Sequence, residues 1–327
     1  MRFYTGTYTR MGGPGISVCH LDHGEITWVC ARRDLNDPTY VILSNDAKTL
    51  YAVGSDDNGN GMAASYRAAD DSLDLISKQY TGGRAACHLT LSPDERFLYV
   101  TNYLSGSVSV FPVTAGDLGK CIQIIEHKGS GPHPTRQEAA HTHQCVFRPE
   151  TNELFVCDLG IDRIEVYEQD TQNGTLVQKE EIAMPPGMGP RHLVFANNNR
   201  FYVTGELDNM VRCCVYKNGS WIIDGEISTL PATYQGESIS AAIRLYEGSL
   251  YVSNRGHDSL CKIQLDQIGN MLDAVWSSTG GQYPRDFAIL PQGAIFAHQN
   301  SGGIITDTGS FLPMDGAVCI CIDHKTE

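Results

Sequence analysis

The sequence predicts an all-β fold, a single seven-bladed β-propeller spanning residues 1–327, on three observations. One strand signature recurs seven times, glycine is abundant at 33 residues, and no long amphipathic helical pattern appears. The signature is a pair of apolar or aromatic residues followed by a small or β-branched one. It reads Phe3-Tyr4-Thr5, Leu50-Tyr51-Ala52, Leu98-Tyr99-Val100, Leu154-Phe155-Val156, Phe201-Tyr202-Val203, Leu250-Tyr251-Val252 and Ile295-Phe296-Ala297. The aromatic falls at 4, 51, 99, 155, 202, 251 and 296, so the steps are 47, 48, 56, 47, 49 and 45 residues. A period of about 40–50 residues with several short strands per unit marks a propeller, each blade a small antiparallel sheet.

The clearest unit shows all four strands. They are 87–91, 97–101, 107–111 and 122–125, and Ser92-Pro93-Asp94-Glu95 makes a tight turn after the first. The N-terminal unit begins at its second strand, whereas Ala317-Val318-Cys319-Ile320-Cys321-Ile322 is a lone apolar strand at the far end. That strand is expected to pair into the N-terminal blade and close the ring, which leaves no inner edge exposed. The one long step, 56, places extra residues in Gly129–His143, a segment dense in His, Arg and Glu. Insertions in repeat proteins map to loops on one face, often the binding face.

Composition excludes several classes. The formal net charge is −14 and no Lys/Arg stripe is present, so nucleic acid is not an expected partner. No stretch approaches ~18 apolar residues, and Met1–Gly6 runs into a strand without a charged leader, so a soluble, non-exported protein without membrane contact is expected. Eleven cysteines without even spacing, most in strand-like runs, read as free thiols in a reducing cytoplasm. There is no Gly-x-Ser-x-Gly elbow, Walker loop or Cys-x-x-Cys. Asn173-Gly174-Thr175 and Asn218-Gly219-Ser220 match glycosylation acceptors, but Asn-Gly is also a favoured hairpin turn.

Propeller geometry brings residues before each first strand and after each second strand to one rim of the central channel. At the starts of first strands stand Arg84, His141, His143, Arg191, His192 and Arg285 with Asp286; after second strands stand Asn102, Asp158, Glu206, Asn254, Arg255, His257, Gln299 and Asn300. Taken singly, Asn102, Asp158 and Asn254 are residues that tie down turns. His88 and His192 fit a backbone-bonding role, and Arg285 has Asp286 or Asp258 as a neighbouring carboxylate. Arg191, Arg255, Glu206 and His143 carry more weight, because they come from different blades and supply anion binding and proton transfer. His141-Thr142-His143 puts both rings on one strand face, a possible start of a metal site, yet no third ligand at fixed spacing is evident.

These residues resemble the seven-bladed propeller lactonases, the family that includes propeller-type 6-phosphogluconolactonases and carboxy-muconate lactonizing enzymes. The resemblance spans essentially the whole chain. It is carried by Gly131-Pro132-His133-Pro134-Thr135-Arg136-Gln137-Glu138 with Ala140-His141-Thr142-His143, by Gly189-Pro190-Arg191-His192 with Gly205-Glu206-Leu207, and by Ser253-Asn254-Arg255-Gly256-His257-Asp258, Pro284-Arg285-Asp286-Phe287 and the opening Tyr4-Thr5-Gly6-Thr7-Tyr8-Thr9. The resemblance implies a catalytic group of His143, Arg191, Glu206 and Arg255. Substrate contacts are expected from Arg136, His141, His192, Asn254, His257, Arg285 and Gln299, with no metal or other cofactor.

The implied activity is hydrolysis of a sugar-acid lactone, with 6-phosphogluconolactone opened to 6-phosphogluconate and the small anionic lactone as the only expected partner. Two alternatives remain open on sequence: a lactonizing isomerase acting on a muconate-type acid, and a non-catalytic propeller that binds a ligand or protein through its rim. The oligomeric state is not legible.

Overall fold

The computed structural model describes residues 1–69 and 71–325. They form seven antiparallel sheets arranged as the blades of a propeller. Blade 1 orders its strands Ala317–Ile322, Arg2–Thr7, Ile16–Asp22 and Glu25–Arg32 from the channel outwards. Blade 2 is Asn36–Leu43, Thr49–Ser55, Asn60–Ala69 and Ser72–Arg84. Blade 3 is Ala86–Leu91, Phe97–Asn102, Ser107–Thr114 and Gln123–Glu126, with Asp117–Leu118 as an added short strand. Blade 4 is Thr142–Phe147, Glu153–Asp158, Arg163–Gln169 and Leu176–Ala183, and blade 5 is Pro190–Asn197, Arg200–Gly205, Met210–Lys217 and Ser220–Ser228. Blade 6 is Ile239–Tyr246, Ser249–Arg255, Ser259–Leu265 and Met271–Ser278; blade 7 is Pro284–Leu290, Gly293–His298, Gly303–Thr306 and Phe311–Pro313.

The recurring signature is the second strand of each blade. Phe97–Asn102 and Glu153–Asp158 are buried along their whole length, because both faces are covered by neighbouring blades. Such strands read as continuous apolar runs. Outer strands are mostly exposed; Leu176–Ala183 buries only its two apolar ends, Leu176 and Ile182. The repeating aromatic fills the space between blades: Tyr99 packs with Cys145, Leu154 and Val156 of the next blade, and Phe155 packs with Leu193 and Phe201. Trp221 meets Phe155 edge-on at 5.6 Å, which adds the preferred aromatic geometry to the buried area. Tyr251 is only partly buried.

Turn chemistry sets the return from first to second strand. The Ser92 hydroxyl donates to Asp94 Oδ1 at 2.7 Å and accepts from the Phe97 N–H at 3.0 Å, which lets Glu95 sit at φ 56°. Blade 2 repeats this turn with Ser44, Asp46 and Thr49. Asn218-Gly219, at φ 54° and 85°, is the two-residue hairpin loop expected of Asn-Gly. Asn173-Gly174 differs: it lies in a longer loop organised by Asp170, whose carboxylate accepts from Gln172 N and Asn173 Nδ2.

The ring closes as predicted. Phe3 faces Ile322, Tyr4 faces Cys321, Thr5 faces Ile320 and Gly6 faces Cys319 in an antiparallel ladder. The Arg2 guanidinium donates to the fully buried Asp323 carboxylate at 2.8 and 3.0 Å just beyond the strand. All eleven cysteines are free, and no helix among the described residues is long and apolar enough to cross a membrane.

Removing residues 317–327 takes out the inner strand of blade 1 and exposes the edge of Arg2–Thr7 together with the apolar sides of blades 2 and 7. The truncated chain is expected to lose its cooperative thermal transition, read by circular dichroism; a truncation with an unchanged melting temperature overturns the closure account.

Candidate active site

The first strands begin irregularly, and always at the same end. Register shifts separate Ala86 from His88, Thr142 from Gln144, Pro190 from His192 and Pro284 from Asp286. The residues set out of register are Cys87, His143, Arg191 and Arg285. A β-bulge leaves its extra residue unpaired and re-aims its side chain. Four blades therefore turn one residue each out of the ladder at the same mouth of the channel. The bulge also breaks the alternation assumed for His141-Thr142-His143, so the two rings part.

Six of the eleven residues proposed from sequence line a single cavity of about 580 Å³ at this mouth: Arg136, His143, Glu206, Arg255, Arg285 and Gln299. Arg191 lies directly behind it, bonded to Glu206. The Glu206 carboxylate is the centre of the charge arrangement. Its Oε2 accepts from Arg191 Nε at 2.8 Å and from Arg255 Nη2 at 2.7 Å, while Oε1 accepts from Arg136 Nη2. Burial alone would raise its pKa, but Arg255, Arg191 and Arg136 together hold it well below the usual carboxylate range. Arg191 is pulled down to about 9 by burial and by Arg255, and remains charged at neutral pH.

His143 is buried to 5% exposure and neutral: burial first, then Arg191, pushes its pKa well below 6.5. Its Nδ1 has no hydrogen-bond partner. Beneath it a column of rings fills the channel. His143 and His192 are 5.1 Å apart, His192 and His88 5.5 Å, and His88 and Tyr40 4.2 Å between ring centres. Arg285 donates to Gln299 Oε1 at 3.3 Å rather than to either neighbouring carboxylate; Asp286 pairs with Arg244, and Asp258 accepts from the Tyr283 and Gly256 N–H groups.

Four of the sequence-proposed contacts lie outside the cavity lining. His141 stacks flat on Tyr103 at 4.5 Å and donates from Nδ1 to the Tyr103 carbonyl, 2.9 Å away, so it supports a wall of the cavity. His192 sits in the ring column below His143, its Nε2 3.3 Å from Arg191 Nη1. Asn254 is fully buried and ties Thr229 O and Ser259 Oγ, because its side chain points into the blade. His257 is held by Ser259 Oγ at 2.7 Å and lies edge-on to Tyr234. Asn102 likewise serves Ser107 and Ser109 within blade 3.

Other lining residues were not singled out from sequence: Tyr8, Arg10, Cys87, Tyr103 and Tyr283. Tyr103 directly follows Asn102, since the second strand runs one residue further than the signature suggests. Its hydroxyl accepts from Arg136 Nη2 at 3.3 Å. Tyr283 adopts φ 62°, a conformation costly for an aromatic residue by ~1–3 kcal/mol, and its ring lies 5.4 Å from the Arg255 guanidinium carbon. Arg10 pairs with Asp37 and lies over Tyr8. Arg84, exposed at the rim, has no carboxylate partner among the described residues. No group of three or more metal-ligating side chains suited to a metal ion occurs among the described residues.

Residues 2–306 match the family described as Lactonase, 7-bladed beta-propeller. The chain is 34% identical over 312 residues to the 6-phosphogluconolactonase of Bacillus subtilis, covering 92% of this chain and 88% of the relative. Its structure is similar to the Pseudomonas aeruginosa periplasmic gluconolactonase, with TM-score 0.89, 29% identity and 98% of each chain covered. A protein of Lactobacillus plantarum also aligns, with TM-score 0.89, 28% identity and 98% coverage of both chains.

The buried imidazoles set a pH dependence of stability. Burial lowers His88 to about 3 and His298 to about 4, and burial also lowers His143 and His192 well below 6.5. Unfolded histidines titrate near ~6.5, so below that pH the unfolded chain binds protons the folded one refuses. Their stability contribution is full above pH ~6.5 and is lost as pH falls toward the folded values, each group steepening the fall by up to ~1.4 kcal/mol per pH unit. Urea melts from pH 7.5 to 5 are expected to show this decline, and His88→Phe is expected to flatten it by about one proton. A stability curve level down to pH 5 contradicts the account.

Proposed function

Because the chain belongs to the seven-bladed β-propeller lactonase family, we propose that its cavity hydrolyses a sugar-acid lactone, with 6-phosphogluconolactone as substrate and 6-phosphogluconate as product. The observation that carries this reading is the Glu206 carboxylate clamped by three guanidiniums beside a neutral His143. Four arginines, Arg136, Arg191, Arg255 and Arg285, gather around this one carboxylate at the mouth of an acidic protein, and Arg84 adds a further cation at the rim. That excess suits an anionic substrate.

The ester carbonyl is placed against the arginine face, where Arg255 and Arg136 meet the oxygen as it becomes negative. Preorganised cations act most strongly where charge develops in a site shielded from water. His143 takes a proton from the attacking water as the new C–O bond forms. The tetrahedral intermediate then expels the ring oxygen, which receives that proton back from the imidazolium, and the new carboxylic acid releases its proton to solvent. Glu206 keeps its charge throughout and aligns the arginines, since three guanidiniums make it a poor base. An anionic substrate offsets the positive field that depresses His143 and restores some of its basicity. Free thiols throughout the chain support a cytoplasmic setting.

The test is a pH-drop assay on freshly prepared lactones with and without a 6-phosphate, read above spontaneous hydrolysis. His143→Ala is expected to lower kcat by ~10²–10⁴-fold, the usual worth of a general base. Arg84→Ala is expected to raise KM about 10-fold for the phosphorylated lactone alone, the effect of losing one charged hydrogen bond. Absence of turnover on every lactone rejects the hydrolase; conversion of a muconate-type diacid in a parallel assay points instead to the lactonizing isomerase.

A further inference from the structure

Two buried aspartates that never reach the cavity bracket the turn between Glu153–Asp158 and Arg163–Gln169. Asp158 closes the neck of the long insertion. Its Oδ1 accepts from the His141 and Gly160 N–H groups at 2.7 and 3.0 Å, and its Oδ2 lies 2.8 Å from His127 Nδ1. His127 and His141 are the first and last residues of the connection between Gln123–Glu126 and Thr142–Phe147, which contains that insertion.

Asp162 reaches in the other direction, to both sides of the arginine clamp. Its Oδ1 accepts from Gln137 Nε2 at 2.7 Å and from the Gly189 N–H at 2.8 Å; its Oδ2 accepts from the Gly187 N–H at 2.7 Å. Gln137 is fully buried and adjoins Arg136. Its amide also donates to Leu159 O at 2.9 Å and accepts from the His133 N–H at 3.0 Å, so it has no freedom to turn. Gly189 stands two residues before Arg191 and accepts, through its carbonyl, from the Glu206 N–H at 2.8 Å. One carboxylate thus holds the segments that deliver Arg136, Arg191 and Glu206.

A buried carboxylate with no cation beside it is expensive to fold around. Asp162 has no ion-pair partner among the described residues and sits at φ 52°, a region Asp tolerates better than most residues. Three N–H donors offset part of that cost, and charge-assisted bonds of this kind are the strong ones. A neutral side chain would stabilise a turn as well, but an amide has a single acceptor oxygen and cannot serve both the Gln137/Gly189 pair and Gly187.

The geometry points to Asp162 as a positioning residue: through Gln137 and the Gly187–Gly189 segment it sets the spacing at which Arg136 and Arg191 meet Glu206. Its kinetic consequence rests on the lactonase reading above; its structural consequence does not.

Two variants test it. Gln137→Met removes the side-chain arm and leaves Asp162 its two backbone donors; Asp162→Asn turns an amide N–H against at least one of those donors. Each is expected to lower kcat/KM for lactone hydrolysis ~10–100-fold, the scale of a misplacement of about 1 Å. In an Arg136→Ala background, Gln137→Met is expected to cost less than ~2-fold more, because the two act through one guanidinium. A purely structural role would instead lower the melting temperature equally in both backgrounds and multiply the rate losses, and that result overturns the inference. The crystal structure of Gln137→Met reads the arm without any turnover: Arg136 displaced from Glu206 supports the assignment, and Arg136 unmoved rejects it. A wild-type protein inactive on lactones would reject the proposed reaction and leave this crystallographic comparison to decide the positioning role.

Discussion

The hydrogen bonds between Ala317–Ile322 and Arg2–Thr7 close a circle, and apart from the Arg191–Glu206 pair within blade 5 the charge contacts to Glu206 join different parts of that circle. Arg136 arrives from the connection between blades 3 and 4, Arg191 and Glu206 from blade 5, Arg255 from blade 6 and Arg285 from blade 7. None of these blades touches all the others, so only a ring of fixed circumference brings the five groups together. The inner strands supply the second ingredient. By slipping register at one end, four of them spend a backbone pairing to aim Cys87, His143, Arg191 and Arg285 inward. The site is thus a repeated backbone irregularity decorated with different side chains.

The electrostatics are organised around a single anion. Glu206 meets three guanidiniums, and it, Arg191 and Arg255 are buried away from water while Arg136 stays partly exposed. Removing either side leaves the other buried and unpaired, which costs far more than the pair contributes. That interdependence keeps the arginines fixed before any substrate arrives, a condition for stabilising charge that appears only during reaction. It also explains why the imidazoles below stay neutral: they are buried and face a field of arginines.

Most of the architecture could be read from the chain because the second strand of each blade is packed on both faces. A position buried on both sides tolerates only apolar residues, and seven such strands produce a period visible without alignment. The rim argument brings His143, Arg191, Glu206, Arg255, Arg285 and Gln299 to one mouth, because they depend only on where strands begin and end, whereas Arg136 lies within the long connection and is reached only through the resemblance. It placed Asn254, His257, His141 and His192 too generously, since strand ends point alternately into the channel and into the blade. Bulges carry no local sequence signal, so the separation of His141 from His143 was hidden. Tyr103 was missed by one residue, and Tyr283, named only as part of a motif, gains meaning from a positive φ that no composition reveals.

The ring column from His143 through His192 and His88 to Tyr40 makes the channel a plug instead of a passage. Whatever enters the arginine-lined mouth must leave by the same door. In the proposed reaction the ester becomes a carboxylate, so the departing molecule carries one more negative charge than the arriving one and faces the same fixed cations. Under that proposal the opened acid therefore competes with fresh substrate for the pocket. If the site opens lactones as proposed, a blind, cationic pocket of this kind makes the reaction sensitive to the concentration of its own product.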